Sequence, residues 1–351
     1  MVLWGPWLAL LCGWACGFSR GTVGEEGLSE FKRLEAFTGM KKVTFDVGIP
    51  ALKLRGISAC ALLVFALSLL GSFLPAFAEE IIALCPERIF VGEPFLVTVY
   101  MESKPEGVEL SWLGEVLSLD VRADGGHFVS AALLGTDVLN STLGEHELAV
   151  YTKASNGQLR LARSVKVIGK EFKEQRLSLP EKMVTPPKDV LDRITKEQKR
   201  VREALAMRSL KRLWELPFVR PVPGAVTSEY GLTRVLNGKP KNPHRGVDLR
   251  GATGDPVKAV AAGRVALAEE HYFAGKCIYL DHGNGVISAY MHLSHIGVAE
   301  GDLVEAGAVI GNVGSTGRVT GPHLHLGIGL QGRMVDPMPL LATPADHPGE
   351  D

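Results

Sequence analysis

From Phe218 to Leu341 the chain is cut into short pieces by glycine. Gly251, Gly254, Gly263, Gly301, Gly307, Gly311, Gly314 and Gly317 leave room for strands of a few residues but not for long helices. Asn284-Gly285 lies between the apolar runs Cys277–Asp281 and Val286–Met291. That dipeptide suits a hairpin turn because both of its residues tolerate positive φ. The expectation for 218–341 is a compact, antiparallel β domain with tight turns.

Upstream, residues 79–169 also alternate with period two. Phe95, Val97 and Val99 are separated by more polar neighbours, as are His146, Leu148 and Val150, and Leu159 and Leu161 follow a Ser155-Asn156-Gly157 turn. Short strands with turn signals about every ten residues predict a small, Ig-like β-sandwich. Its histidines, His127 and His146, stand alone and read as exposed or packed side chains. The composition changes at 170–217, where Pro180, Pro186 and Pro187 break the chain before a helix expected over Lys188–Leu216. Its stripe of Val190, Leu191, Ile194, Val201, Leu205 and Leu210 is interrupted and its other faces are basic, as expected of a linker helix packed on a neighbour. The fold expected is thus mostly β: a small N-terminal sandwich, a basic linker helix and a Gly-rich antiparallel β domain, followed by a tail at 342–351.

The N-terminal residues read as a leader. Met40-Lys41-Lys42, Lys53 and Arg55 precede an apolar run from Ile57 to Leu74, and Ala76-Phe77-Ala78 has the small-x-small form of a cleavage site. Residues 40–78 are expected to be a signal peptide that exports the chain, and if uncleaved they would be its only membrane attachment. Residues 1–39 fit an extension annotated upstream of the true start at Met40. Beyond the leader only Cys85 and Cys277 remain, too few for a disulfide framework. The net charge of −1 provides no overall basic field, which argues against a nucleic-acid partner. The oligomeric state is left open.

Seven of the ten histidines fall between His244 and His325. In His323-Leu324-His325-Leu326-Gly327-Ile328, strand alternation places the leucines and isoleucine on one face and both histidines on the other. The same alternation places His292 on the face of Val286, Ser288 and Tyr290. His271, His282, His295 and His347 are expected at the surface. Paired imidazoles on an exposed strand face suit metal binding or proton transfer. A catalytic zinc takes three His, Asp, Glu or Cys ligands and keeps a position for a water whose pKa falls to about 7. No His-Glu-x-x-His is present, which excludes the helical zinc-protease arrangement.

Three motifs carry a resemblance. Asn242-Pro243-His244-Arg245-Gly246-Val247-Asp248-Leu249 is the first, and Asp281-His282-Gly283-Asn284-Gly285 leading to Tyr290-Met291-His292-Leu293 is the second. The third runs Gly314-Ser315-Thr316-Gly317-Arg318-Val319-Thr320-Gly321-Pro322-His323-Leu324-His325. In order and spacing, residues 218–341 resemble the lysostaphin-type (LytM-like) zinc peptidoglycan endopeptidases. The resemblance implies one Zn2+ per chain held by His244, Asp248 and His325, with His292 and His323 as the catalytic pair beside a metal-activated water. It also implies hydrolysis of peptide cross-links of peptidoglycan, in the periplasm or cell envelope of a bacterium. The alternative is a non-catalytic wall-binding or hydrolase-activating protein of the same fold. Thr316, Arg318 and Thr320 precede the histidine pair and are candidates for substrate contact or plain loop residues.

Overall fold

The computed structural model describes residues 81–154 and 157–342. The expectations for the upstream extension, the signal peptide, His347 and the tail beyond Ala342 lie outside these residues. Among those described, no helix is long and apolar enough to cross a membrane.

Nine strands form the N-terminal sandwich: β1 (Ile81–Leu84), β2 (Arg88–Phe90), β3 (Pro94–Met101), β4 (Gly107–Trp112), β5 (Glu115–Leu119), β6 (Arg122–Asp124), β7 (His127–Gly135), β8 (Gly144–Ala154) and β9 (Gly157–Ile168). One sheet has the order β1-β3-β7-β6 and the other β2-β9-β8-β4-β5. Alternate residues point inward, as the period-two pattern requires, so Val97, Val99, Leu110, Trp112, Leu148, Val150 and Val165 share one core. Trp112 is fully buried; its Nε1–H donates to Gly135 O (3.0 Å), and Phe95 meets it edge-on at 5.3 Å. The sandwich is not wholly antiparallel, since β2 runs parallel to β9.

A connecting stretch follows, with β10 (Glu174–Leu177), one helical turn α1 (Glu181–Val184) and α2 (Leu191–Leu205). The helix expected to reach Leu216 therefore stops eleven residues early. The chain beyond it spends its backbone groups on the hairpin turn of the next sheet: Leu213 N–H donates to His282 O (2.8 Å), and Ser209 O accepts from Asn284 N–H (2.6 Å). Those bonds are incompatible with continuing a helical ladder through the same residues.

The remaining strands are β11 (Val226–Ser228), β12 (Thr233–Leu236), β13 (Lys239–Pro240), β14 (Val247–Arg250), β15 (Pro256–Lys258), β16 (Gly263–His271), β17 (Gly275–Asp281), β18 (Val286–Leu293), β19 (His295–Ile296), β20 (Leu303–Val304), β21 (Val309–Asn312), β22 (His323–Leu330) and β23 (Arg333–Val335). The main sheet is antiparallel with the order β11-β14-β22-β18-β17-β16-β20, and β23 adds to β22. One face packs Leu249, Ile278, Tyr290, Leu324, Leu326 and Ile328 against Val257 and Ile310 of the small sheet β15-β21-β19 and against Val313 just after it. The opposite face carries Leu267, Cys277, Tyr279, Ile287 and Ala289 beneath Ala204, Val201 and Leu205 of α2. Burying each large side chain stabilises the fold by roughly 1.5–3 kcal/mol before entropy is subtracted. Asn284 (φ 51°) and Gly285 (φ 69°) both sit in the left-handed region, as the hairpin reading requires.

Two side chains expected at the surface are internal. His282 is wholly buried: its Nδ1–H donates to Ala262 O (2.7 Å), and its Nε2 lies 2.7 Å from Ser288 Oγ. His271 is buried against Glu269, at 2.9 Å. His295 is exposed, as expected. Cys85 and Cys277 are free thiols, the first packed at the sandwich core and the second beneath α2.

Candidate metal centre

The three expected ligands come from two adjacent strands and the loop before them. Asp248 on β14 pairs directly with His325 on β22, so both side chains leave the same face of the sheet. His244 enters from the loop preceding β14. Its Nε2 lies 3.0 Å from Asp248 Oδ1 and 3.0 Å from His325 Nδ1, and His325 Nδ1 lies 2.8 Å from the same carboxylate oxygen. Close approach at this point depends on Gly246, where a Cβ would stand 2.4 Å from Leu326 O and 2.7 Å from the His325 ring.

The protons are assigned by the outer bonds. His244 Nδ1–H donates to Glu229 O (2.8 Å), which leaves a lone pair on Nε2 in the neutral ring. Burial pushes the His325 pKa down despite the neighbouring Asp248, so its ring is neutral near pH 7. Burial alone would raise the Asp248 pKa, but hydrogen bonds with His244 and His325 outweigh it and hold it well below the usual carboxylate range. Two imidazole nitrogens and a carboxylate oxygen thus converge on one point. That donor set fits a divalent metal that accepts mixed nitrogen and oxygen ligands.

Residues with no sequence signal support the carboxylate. Arg234 on β12 donates from Nη2 to Asp248 Oδ2 (3.2 Å), leaving Oδ1 to face the histidines. Gln175 on β10 accepts from Arg234 Nε (3.3 Å) and donates to Ser228 Oγ (3.2 Å), which itself lies 3.2 Å from His244 Nδ1. Partners of this kind fix ligand orientation and tautomer. A scan of one sequence cannot connect a glutamine in the linker with an aspartate more than seventy residues on. Only the parallel pairing of β10 with β12 brings them together.

His323 emerges beside His325, as alternation predicts, with Leu324, Leu326 and Ile328 in the core behind. Its Nδ1–H donates to Gly321 O (2.8 Å), and its Nε2 stands 3.7 Å from Asp248 Oδ1. His292 arrives by a different route. The face of Val286 and Tyr290 is the apolar core face, where Tyr290 pairs with Leu326, so simple alternation would bury His292 away from the other histidines. Between Lys276 and Ile278 the register shifts, and His292 takes φ 65°. This bulge turns His292 to the site and Leu293 to the core. The His292 ring lies 5.0 Å from His323 and 6.0 Å from His325 between centroids. Its Nδ1–H donates to Thr316 O (2.9 Å), and burial, with the nearby His325 and His323, lowers its pKa to about 3. All five histidine and aspartate candidates therefore share one side of β14, β18 and β22.

Of the loop candidates, Thr316 holds His292 through its carbonyl, while its Oγ accepts from Lys276 N–H (2.9 Å) and donates to Leu293 O (2.8 Å). Arg318 lies over the Phe273 ring at 4.6 Å. Thr320 is exposed.

Known proteins share this arrangement of motifs. Residues 242–337 match the model of peptidase family M23. The peptidoglycan DD-endopeptidase ShyA of Vibrio cholerae is 43% identical over 96 residues, which is 27% of this chain and 22% of that protein. The DD-carboxypeptidase/endopeptidase Mpg of Neisseria meningitidis is 43% identical over 102 residues, 29% of this chain and 24% of that protein. The matched region thus spans less than a quarter of either relative's length. A crystal structure assigned to peptidase M23 from Pseudomonas aeruginosa superposes with a TM-score of 0.53 at 29% identity, covering 69% of this chain and 91% of that one. The motifs, the strand arrangement and these matches agree that residues 242–337 form a peptidase family M23 domain.

Proposed function

We propose that this protein is a zinc metalloendopeptidase that hydrolyses peptide cross-links of bacterial peptidoglycan. The observation that carries the reading is the convergence of His244, Asp248 and His325 with His292 and His323 beside them. The three ligand atoms fit zinc, and three protein ligands leave a coordination position for chemistry. When bound, zinc supplies Lewis acidity, acidifying water and polarising a carbonyl.

The chain's own groups do the rest. His292 and His323 are each tethered through Nδ1–H to a backbone carbonyl, so each presents a free Nε2. An imidazole held in this way accepts a proton from water attacking the scissile amide and delivers it to the departing amine. Its partner is held in the same tautomer and offers a second Nε2 acceptor for that proton. Arg234 neutralises the outer oxygen of Asp248 and keeps that carboxylate from swinging toward substrate.

The relatives named as peptidoglycan DD-endopeptidases support the substrate class. That substrate lies outside the cytoplasm, so this reading requires the export signal expected at residues 40–78. The purified protein incubated with wall sacculi should release peptide fragments, lose the activity to a chelator and recover it with zinc. An Asp248→Ala variant should bind less than a tenth of the zinc and release no fragments. Digestion at the parent's rate by that variant would refute the mechanism, and a parent that neither holds zinc nor releases fragments would point to a non-catalytic wall protein.

A further inference from the structure

Arg318 stands out among the arginines of this half of the molecule. Arg234 bonds Asp248, Arg245 bonds Asp137, Arg220, Arg264 and Arg333 each donate to a backbone carbonyl, and Arg250 is exposed to solvent. The Arg318 guanidinium lies 4.6 Å over the Phe273 ring and has no hydrogen-bond or ion-pair partner among the described residues. Stacking occupies one face of the guanidinium plane and leaves its edge, with up to five N–H donors, unused.

Backbone contacts place the residue and tie it to the site. Arg318 N–H donates to Phe273 O (2.8 Å). At the preceding Gly317 (φ 75°) a Cβ would stand 2.4 Å from Gly275 N and 2.5 Å from Phe273 O, so the loop rests directly on the 273–275 turn. Two residues before Arg318, Thr316 O holds His292 Nδ1–H, and Ala274 O holds His292 N–H (2.9 Å). The strand that follows the loop carries His323 and His325. Burial and the charge of Arg234 both disfavour the Arg318 cation, so it sits desolvated next to a like charge with no carboxylate of its own. A cation in that position is stabilised by an anion that arrives from outside.

On the reading of the site as a peptidase, we propose that Arg318 binds a carboxylate of the substrate peptide next to the scissile amide and so selects carboxylate-bearing peptides. Planar two-point pairing matches a carboxylate, and the Phe273 ring sets the angle at which it is presented. Two carboxylates have the required chemistry: the free α-carboxylate at a peptide's end, and the side-chain carboxylate of a residue flanking the cut.

The test compares the parent, Arg318→Met and Arg318→Lys on synthetic cross-linked peptides amidated at one or the other carboxylate, with zinc content measured for each. The parent should lose about 10–100-fold in kcat/KM when the recognised carboxylate is amidated, mainly through KM, and the amide that does this identifies the source. Arg318→Met should cleave the acid and amide forms equally at unchanged zinc content, while Arg318→Lys should regain part of the preference. A parent indifferent to both amidations, or an Arg318→Met variant that retains the preference, overturns the proposal. So does an Arg318→Met variant that loses zinc or slows equally on every peptide, because that marks a structural role. Binding of the same peptides, followed by calorimetry, separates this proposal from the assignment of the reaction. If the parent cuts none of them, the peptidase reading fails, and acid-over-amide binding that depends on Arg318 still decides the present one.

Discussion

His282 gives the fold a defined response to acid. It is wholly buried and takes its ordinary pKa of 6.5 down to about 4, because burial disfavours the charged ring more than Ala262 O and Asp281 favour it. The folded state therefore refuses a proton that the unfolded state accepts, so stability rises with pH through this window and is lost as pH falls from about 6.5 toward 4. With those two values, acidifying from pH 7 to pH 5 removes about 2 kcal/mol through this one ring. For a folded region of this size that is a fall of roughly 4–8 °C in Tm. His282→Gln retains an amide to reach Ala262 O and Ser288 but has nothing to titrate. Denaturant melts of parent and variant at both pH values, at equal zinc, should show the parent's advantage shrinking by about 2 kcal/mol on acidification. The histidines of the candidate metal centre contribute equally to both proteins and cancel. An advantage that is unchanged or larger at pH 5 would refute the reasoning.

Two further outcomes follow from packing. Gly246→Ala places a methyl 2.4 Å from Leu326 O and 2.7 Å from the His325 ring, so it should destabilise the fold by about 1–3 kcal/mol and weaken zinc binding roughly 10–100-fold. Thermal melts and zinc retention against a competing chelator check this, and parental retention would contradict it. Burial pushes the Cys277 thiol up to about 12, so mass-spectrometric mapping after brief alkylation should find Cys277 unmodified in the native protein and modified in denaturant, whereas the half-buried Cys85 reacts earlier.

The parts of the fold that were legible in the sequence are those that depend on a short stretch of chain. The hairpin at Asn284-Gly285, the inward alternation of β3 and the shared face of His323 and His325 each follow from φ preferences or strand period within a few residues. What was not legible depends on a distant partner. His292 faces the site because Cys277, on another strand, opposes two residues instead of one. The long helix ends at Leu205 because the turn at 282–284 claims the following backbone groups. His282 is internal because Ala262 O and Ser288 are placed to receive both of its nitrogens. Arg234 and Gln175 became visible only once β10 lay beside β12.

The same pairing bears on how the molecule can be divided. Phe172 packs at Gly231, where a Cβ would strike its ring at 2.0 Å, and β10 is hydrogen-bonded to β12 along four residues. A fragment begun at Phe218, where the glycine-rich pattern starts, would contain every candidate ligand and both catalytic candidates. It would also leave β12 as a bare sheet edge and Arg234 without its glutamine. Modularity in this chain thus follows strand pairing instead of motif limits, and a transplantable unit has to carry the residues from about Phe172 onward.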